Sequence, residues 1–275
     1  WLYLRNLDAI TPEARLFPDF DHNLRQAMKQ ETQLFFSSIV SEDRSVLDLI
    51  STDYTFLNER LAKHYGIPHI YGSRFRRVSL PPDSNRGGLL RHGSILMVTS
   101  YATRTSPVIR GHWILQNLLG SPPPPPPDDV PALEDNTVDS NLSVRERLAA
   151  HRANPACASC HNIMDPIGFS LENFDAIGQW RQQDDNGGLI DSSGKLPDGK
   201  LVSSPRELKQ HVAGRAIPQM RLVGKRVDQL HPGRQATERA DDIIGPVVQV
   251  LEHPPVDGAA RDRGTSRPIP PIAPH

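Results

Sequence analysis

The chain has 275 residues, which is enough for one large domain or two small ones. Its formal net charge of -1 gives no support for nucleic acid or a membrane surface as a partner. Hydrophobic residues make up 37% of the chain and prolines number 26, which indicates a modest core with much irregular structure. No apolar run approaches the roughly 18–20 residues of a membrane span.

Helical periodicity dominates the first third of the chain. Residues 20–50 carry apolar side chains at helical spacing after Asp21, a suitable N-cap, and this pattern predicts one long helix. A second helix is predicted from Tyr54 to Tyr65, and Gly66 should end it. The alternation from Arg76 to Leu80 predicts a short strand.

The central part contains one ambiguous segment, one helix and a proline run. Residues 93–101 are apolar but too few for periodicity to separate helix from strand. Ser106-Pro107 predicts the start of a helix that Gly120 ends. The prolines 122–127 should form an extended polyproline II segment. We interpret it as a stiff strap along the domain surface rather than a docking ligand for a partner.

Three further helix starts are marked by capping patterns. A capping box at residues 143–146 predicts a helix that ends before Asn154-Pro155. Asp165-Pro166 predicts the start of another short helix. A second capping box at residues 204–207 predicts a helix that runs to Gly214.

Both cysteines of the chain lie in the segment Cys157-Ala-Ser-Cys160-His161, which is the attachment pattern of c-type haem. Two thiols one helical turn apart can both reach the vinyl groups of one porphyrin. His161, next to the second thioether, can then supply the proximal ligand of the iron. Its other ring nitrogen needs an acceptor, and a backbone carbonyl near Asp165 or Pro166 is placed to be one.

Two other uses of the cysteines stay open. A thioredoxin-like dithiol follows a strand in a βαβ unit, whereas the stretch before Cys157 has the pattern of a helix and a turn. A structural zinc site needs four Cys or His ligands, and the chain has no second cysteine pair. His64 and His69 have suitable spacing but lie far upstream. Covalent haem c is therefore the favoured prediction.

Further contacts of the haem are less sharply marked. Pro166 and Gly168 would let the chain turn closely over the porphyrin face, although Pro166 is equally explained as a helix start. The sixth iron ligand stays unassigned, with Met97 and Met220 as weak candidates. Met97 is also explained as a core residue.

The last part of the chain changes character. No Phe, Tyr or Trp occurs beyond Trp180, and residues 215–275 are rich in Arg, Pro and Asp. Such a segment has too little apolar surface to offset its ordering entropy, so we expect it to be largely disordered.

Three blocks of sequence carry a resemblance. They are Phe17-Pro-Asp-Phe-Asp through Asp53-Tyr-Thr-Phe-Leu-Asn-Glu-Arg-Leu61 to His64-Tyr-Gly66, Arg86-Gly-Gly-Leu-Leu90 through Arg104-Thr-Ser-Pro107 to Leu118-Leu-Gly120, and His151-Arg-Ala-Asn-Pro-Ala-Cys157 through Met164-Asp-Pro166 to Leu171-Glu-Asn-Phe174-Asp175. With these blocks the chain resembles the C-terminal half of the planctomycete-type multidomain cytochromes, in which domains of unknown function surround a Cys-x-x-Cys-His segment. The match covers about residues 1–214.

The resemblance implies a mainly α-helical, haem-binding protein of the bacterial periplasm or cell surface, with few short strands. It divides the chain into a helical domain truncated at its N-terminus (1–72), a haem-attachment domain with the strap (73–181) and the start of a C-terminal helical domain (182–214). Residues 215–275 do not match and read as an out-of-frame tail. The chain opens in mid-helix, so we expect it to be the C-terminal part of a longer protein.

Three classes of function remain. The first is electron transfer within a larger envelope cytochrome, with a redox protein or other domains of the same longer chain as partner. The second is a haem enzyme with an open iron position, of the peroxidase or oxidase kind. The third is a non-catalytic module that binds haem or another metal through Cys157 and Cys160. The single haem motif favours the first. The sequence leaves open whether the chain is an enzyme.

Overall fold

The computed structural model describes residues 1–124, 142–184 and 187–214. In these ranges the chain is mainly α-helical, as predicted, and its short strands form two small antiparallel sheets. The helices are α1 (His22–Ser41), α2 (Asp48–Ser51), α3 (Glu59–Tyr65), α4 (Gly93–Val98), α5 (Pro107–Asn117), α6 (Val144–His151), α7 (Pro155–Phe169) and one over residues 205–214. The strands are β1 (Tyr54–Leu57), β2 (Arg76–Ser79), β3 (Gly194–Lys195) and β4 (Leu201–Val202). None of the described helices is long and apolar enough to cross a membrane.

The predicted long helix over residues 20–50 is only partly confirmed. Asp21 caps α1 as expected, and its carboxylate accepts a hydrogen bond from the Leu24 amide at 2.6 Å. The helix ends at Ser41, however, because Asp43 takes the left-handed backbone conformation with φ of 48°. The apolar pattern then resumes in the separate short helix α2.

The predicted helix from Tyr54 to Tyr65 is wrong in its first third. Residues Tyr54–Leu57 form β1, which pairs antiparallel with β2 so that Tyr54 lies opposite Ser79. Aromatic and β-branched side chains suit a pleated, half-buried strand, and here the partner strand decides between the two structures. The helix begins only after Asn58, whose side chain accepts from the Leu61 amide at 3.0 Å. Gly66 ends it with φ of 69°, as expected.

A buried apolar cluster joins α1, β1, α3 and α4. Its fully or almost fully buried members are Leu7, Leu24, Ala27, Met28, Leu57, Leu61, Ala62, Tyr65 and Met97. Residues 93–98 of the ambiguous segment 93–101 form helix α4, which places Met97 inside this cluster.

A buried carboxylate lies beside this cluster. Glu31 on α1 accepts hydrogen bonds from Thr55 at 2.5 Å and from the Tyr65 hydroxyl at 2.6 Å. Burial raises the pKa of Glu31 to about 7. The Tyr65 hydroxyl in turn accepts from the Gly93 amide at 2.7 Å. The network therefore links α1, β1, α3 and α4.

His64 and Arg86 connect helix α3 to the loop after α7. The His64 ring donates through Nε2 to the Ile177 carbonyl at 2.9 Å, and burial lowers the pKa of His64 to about 4. Arg86 donates to the Gly178 carbonyl at 2.6 Å while its guanidinium lies 3.7 Å from the centre of the Tyr65 ring.

Helices α5 and α7 pack with their backbones in close contact. A Cβ atom on Gly111 would lie 2.0 Å from the Met164 carbonyl oxygen, and one on Gly168 would lie 1.9 Å from the Pro107 carbonyl oxygen. Only glycine fits at such a crossing. Ser106 caps α5 as predicted, by accepting from the Ile109 amide.

The predicted new helix at Asp165-Pro166 is wrong. Residues Pro155–Phe169 form one continuous helix, with Asn154 as N-cap and Pro166 inside the last turn. So near the C-terminus a proline costs one backbone hydrogen bond and need not end the helix. The capping box of Ser143 and Glu146 that opens α6 is confirmed.

Some predictions lie outside the described residues. They are the tail 215–275 with Met220, and the part of the proline strap beyond Pro124. The helix predicted to run to Gly214 is confirmed, since residues 205–214 are helical. The predicted domain boundaries stay predictions.

Candidate functional site

The Cys-x-x-Cys-His segment lies in the first half of α7. Cys157 is in the first turn, Cys160 follows one turn later, and His161 lies four residues after Cys157, on the same side of the helix. Neither thiol forms a disulfide; Cys157 is buried and Cys160 is partly exposed. One rigid helix therefore presents all three side chains that the sequence singled out.

His161 is fixed by a carboxylate rather than by the backbone carbonyl we expected. Its Nδ1 lies 2.9 Å from Asp165 Oδ1, four residues along α7. The Asp165 side chain has no solvent exposure, whereas 15% of the His161 side chain is exposed. When Nδ1 donates to this carboxylate, the neutral form of the ring keeps its lone pair on Nε2. A neutral imidazole in this state can bind a metal through Nε2.

The C-terminal end of helix α6 places two residues beside His161 and Asp165 that were not predicted from the sequence. The ring of His151, the last residue of α6, meets the ring of His161 edge to face with 4.6 Å between centroids. Burial, followed by the positive charge that His161 can carry, lowers the pKa of His151. The next residue, Arg152, donates from Nη1 to Asp165 Oδ2 at 2.5 Å. The spacing His161 to Asp165 on one helix face could have signalled the carboxylate, had we not predicted a break there.

The predicted strap begins beside the motif. The Cys160 Sγ lies 3.9 Å from the Pro124 carbonyl oxygen, at the last described residue before the gap. This contact brings the start of the proline run to the exposed side of α7.

The other predicted contacts do not gather at His161. Pro166 and Gly168 lie within helix α7 rather than in a turn, and the Pro107 carbonyl lies where a side chain of Gly168 would be. Their contact with the haem stays a prediction. Met97 is fully buried in the N-terminal cluster, which contains no residue of α7. Its role as sixth ligand stays a prediction, as does that of Met220.

Neither alternative use of the thiols finds its expected surroundings in the described part of the chain. The motif is preceded by α6 and a turn, not by the strand of a thioredoxin-like unit. No group of three His, Cys, Asp or Glu side chains is arranged to hold a metal ion among the described residues. A zinc site would need ligands from elsewhere.

A cavity of about 200 Å³ lies away from α7. Arg104 and Thr105 line it together with Asp175, Gln179 and Arg181. No residue of α7 lines this cavity, so it is a feature separate from the motif.

The residues of the motif fit a covalently attached haem. Two free thiols one turn apart are the groups that thioether formation needs, and Nε2 of His161, opposite the ring nitrogen that contacts Asp165, is the atom that would bind the iron. A buried carboxylate on the far ring nitrogen is the usual support of a metal-binding histidine.

Comparison with known proteins gives two matches. Residues 1–67 match the family model PSD4, described as a protein of unknown function (DUF1592). Residues 86–184, which include the whole of α7, match PSCyt3, also described as a protein of unknown function (DUF1588). No curated protein and no solved structure matches. The chain is thus similar to two planctomycete-type domains that are associated with cytochromes and have no known function.

Proposed function

We propose that the chain binds haem c covalently through Cys157 and Cys160, with His161 as the proximal iron ligand, and transfers electrons within a larger envelope cytochrome. The observation that carries this proposal is the state of the three side chains on α7. Both thiols are free, and the hydrogen bond at Nδ1 leaves Nε2 of His161 able to bind iron.

The rest of the fold holds this helix in place. Asn154 caps its start by accepting from the Ala156 amide at 3.0 Å, which satisfies one of the free amides next to the motif. At the other end, the close contact of Gly111 and Gly168 with the neighbouring backbones fixes α7 against α5. A bound haem would supply one-electron chemistry. A rigid support keeps the reorganisation that accompanies electron transfer small.

The proposed location follows from the proposed attachment. Thioether bonds to haem are made outside the cytoplasm, so we place the chain in the periplasm or at the cell surface. Its partner would be a redox protein or another domain of the same longer protein.

A haem enzyme with an open iron position is the second candidate. It is favoured by the location of Met97, whose side chain is buried in the N-terminal cluster and not beside His161. The two candidates differ in whether a small ligand can reach the iron.

The attachment is tested by expressing the chain with a periplasmic haem-attachment system. Covalent haem is measured by haem staining of denatured protein and by the pyridine haemochrome spectrum. We expect wild type to retain haem under denaturation, Cys157→Ala and Cys160→Ala each to show the spectrum of a single thioether or no haem, and the double variant to retain none. Ser159→Ala is the matched control, because this exposed side chain lies between the cysteines and supplies no bond to the haem. Exported wild type without covalent haem would refute the proposal.

Carbon monoxide separates the two candidates once haem is attached. A reduced spectrum that does not change on addition of carbon monoxide means that both axial positions are filled, as electron transfer requires. A rapid shift of the Soret band would instead favour the enzyme.

A further inference from the structure

Asp165 has a geometry that the attachment motif alone does not require. Its side chain has no solvent exposure, and each of its two carboxylate oxygens contacts a different side chain. Oδ1 accepts from His161 Nδ1 at 2.9 Å and Oδ2 accepts from Arg152 Nη1 at 2.5 Å. A buried carboxylate is costly unless it is paired, and the Arg152 guanidinium supplies the balancing charge.

The three residues come from two elements that hold one another. His161 and Asp165 lie four residues apart on α7, so their side chains meet on one helix face. Arg152 follows the last turn of α6, and its guanidinium lies 5.9 Å from the ring centre of Phe169 at the end of α7. The carboxylate is thus clamped from outside the helix that carries the motif.

We propose that Asp165 is the positioning residue of the iron site and that its negative charge lowers the reduction potential of the haem. The hydrogen bond fixes the tautomer and the plane of the His161 ring. A full negative charge at Nδ1 also makes Nε2 a stronger donor than a neutral carbonyl acceptor would. The stronger donor favours the oxidised iron. This inference rests on the proposed attachment of haem at Cys157 and Cys160.

The contact of Asp165 with His161 adds a direction of electron transfer to the proposed function. A stronger histidine ligand suits a haem of low reduction potential, which gives up its electron readily to a partner. Arg152 moderates the effect, since it shares the charge of the same carboxylate.

The test is the reduction potential of the haem-loaded chain, measured by spectroelectrochemistry for wild type, Asp165→Asn and Asp165→Glu. Asparagine keeps the shape and an acceptor oxygen but removes the charge. We expect its potential to rise by at least the equivalent of a tenfold change in the redox equilibrium, which is about 59 mV for one electron. Glutamate keeps the charge and should move the potential back toward wild type.

Glu172→Gln is the matched control. Glu172 is a carboxylate of similar burial that interacts with Arg110 and accepts from Thr105, and neither of these residues contacts His161. Its neutralisation should leave the potential within a third of the change seen for Asp165→Asn. An equal change in both variants would mean that any buried charge acts this way, and it would overturn a specific role of Asp165.

The outcomes separate this inference from the proposed function. If wild type carries no covalent haem, the proposed function fails. If all variants carry haem and Asp165→Asn has the potential of wild type, only the role of Asp165 fails. If the variants do not accumulate, wild type decides through proton NMR of the reduced, haem-loaded chain. We expect a His161 Nδ1 proton that exchanges slowly with solvent, because its acceptor is fully buried. Rapid exchange would overturn the inference.

Discussion

The contact between α5 and α7 makes a sharp prediction for Gly111→Ala. The new Cβ atom would lie 2.0 Å from the Met164 carbonyl oxygen, so the two helices have to separate by about 1.4 Å to reach the 3.4 Å of ordinary contact. The obstacle is backbone and cannot rotate away. Overpacking of a core costs roughly 1–3 kcal/mol, and we take the upper end here. The better helix propensity of alanine returns about 1 kcal/mol.

We therefore expect Gly111→Ala to lower the free energy of unfolding by about 2 kcal/mol. For a folded unit of this size that corresponds to a fall in Tm of roughly 4–8 °C, measured by circular dichroism in thermal and urea unfolding. Gly214→Ala is the control, since nothing lies within 4 Å of its added Cβ atom. Stability equal to or above wild type for Gly111→Ala would refute the close crossing of the two helices.

Three further substitutions test the fold. Burial raises the pKa of Glu31 from 4.5 to about 7. The protonated side chain therefore adds its full contribution to the free energy of unfolding below pH 4.5, and this contribution is lost as pH rises to 7. In Glu31→Gln the free energy of unfolding should fall by about 3 kcal/mol less than in wild type over this pH range, as measured by urea unfolding. The same pH dependence in wild type and variant would contradict this prediction. Arg110 is fully buried and donates to three backbone carbonyls at 2.8 Å, so Arg110→Met should cost about 3 kcal/mol or more in urea unfolding. A loss under about 1 kcal/mol would mean that those carbonyls have other donors. Ser143→Ala removes the cap of α6 and should cost about 1 kcal/mol, with Ser159→Ala as the comparison; equal stabilities of these two would argue against the capping box.

Local signals in the sequence predicted several of the helix starts correctly. Asp21, Ser106 and Ser143 each cap a helix at the expected place, because a cap depends on residues within three or four positions. The strand β1 could not be predicted in this way. Its choice between helix and strand depends on pairing with β2, which lies about twenty residues further along the chain.

In the candidate site, too, the local features were predicted from the sequence and the contacts made by packing were not. The attachment motif is contiguous, so the sequence alone singled out Cys157, Cys160 and His161. The support of His161 was missed in two ways. The break we predicted at Asp165-Pro166 hid the helical spacing of the carboxylate, and Arg152 reaches that carboxylate only through the packing of α6 on α7. Likewise, no local pattern shows that Gly111 and Gly168 allow two backbones to touch.

The hydrogen bonds of His64 and Arg86 to the loop after α7 have a consequence for how the chain can be divided. The His64 bond joins the segment that matches PSD4 to the segment that matches PSCyt3. Arg86 belongs to the PSCyt3 segment, and it contacts the PSD4 segment through its guanidinium, which lies 3.7 Å from the centre of the Tyr65 ring. A cut between residues 67 and 86 would leave the buried His64 without the carbonyl that now accepts its hydrogen bond, and it would separate the Arg86 guanidinium from the Tyr65 ring. We expect the two matched segments to melt in a single cooperative transition, and we expect neither to be a useful fragment for expression alone.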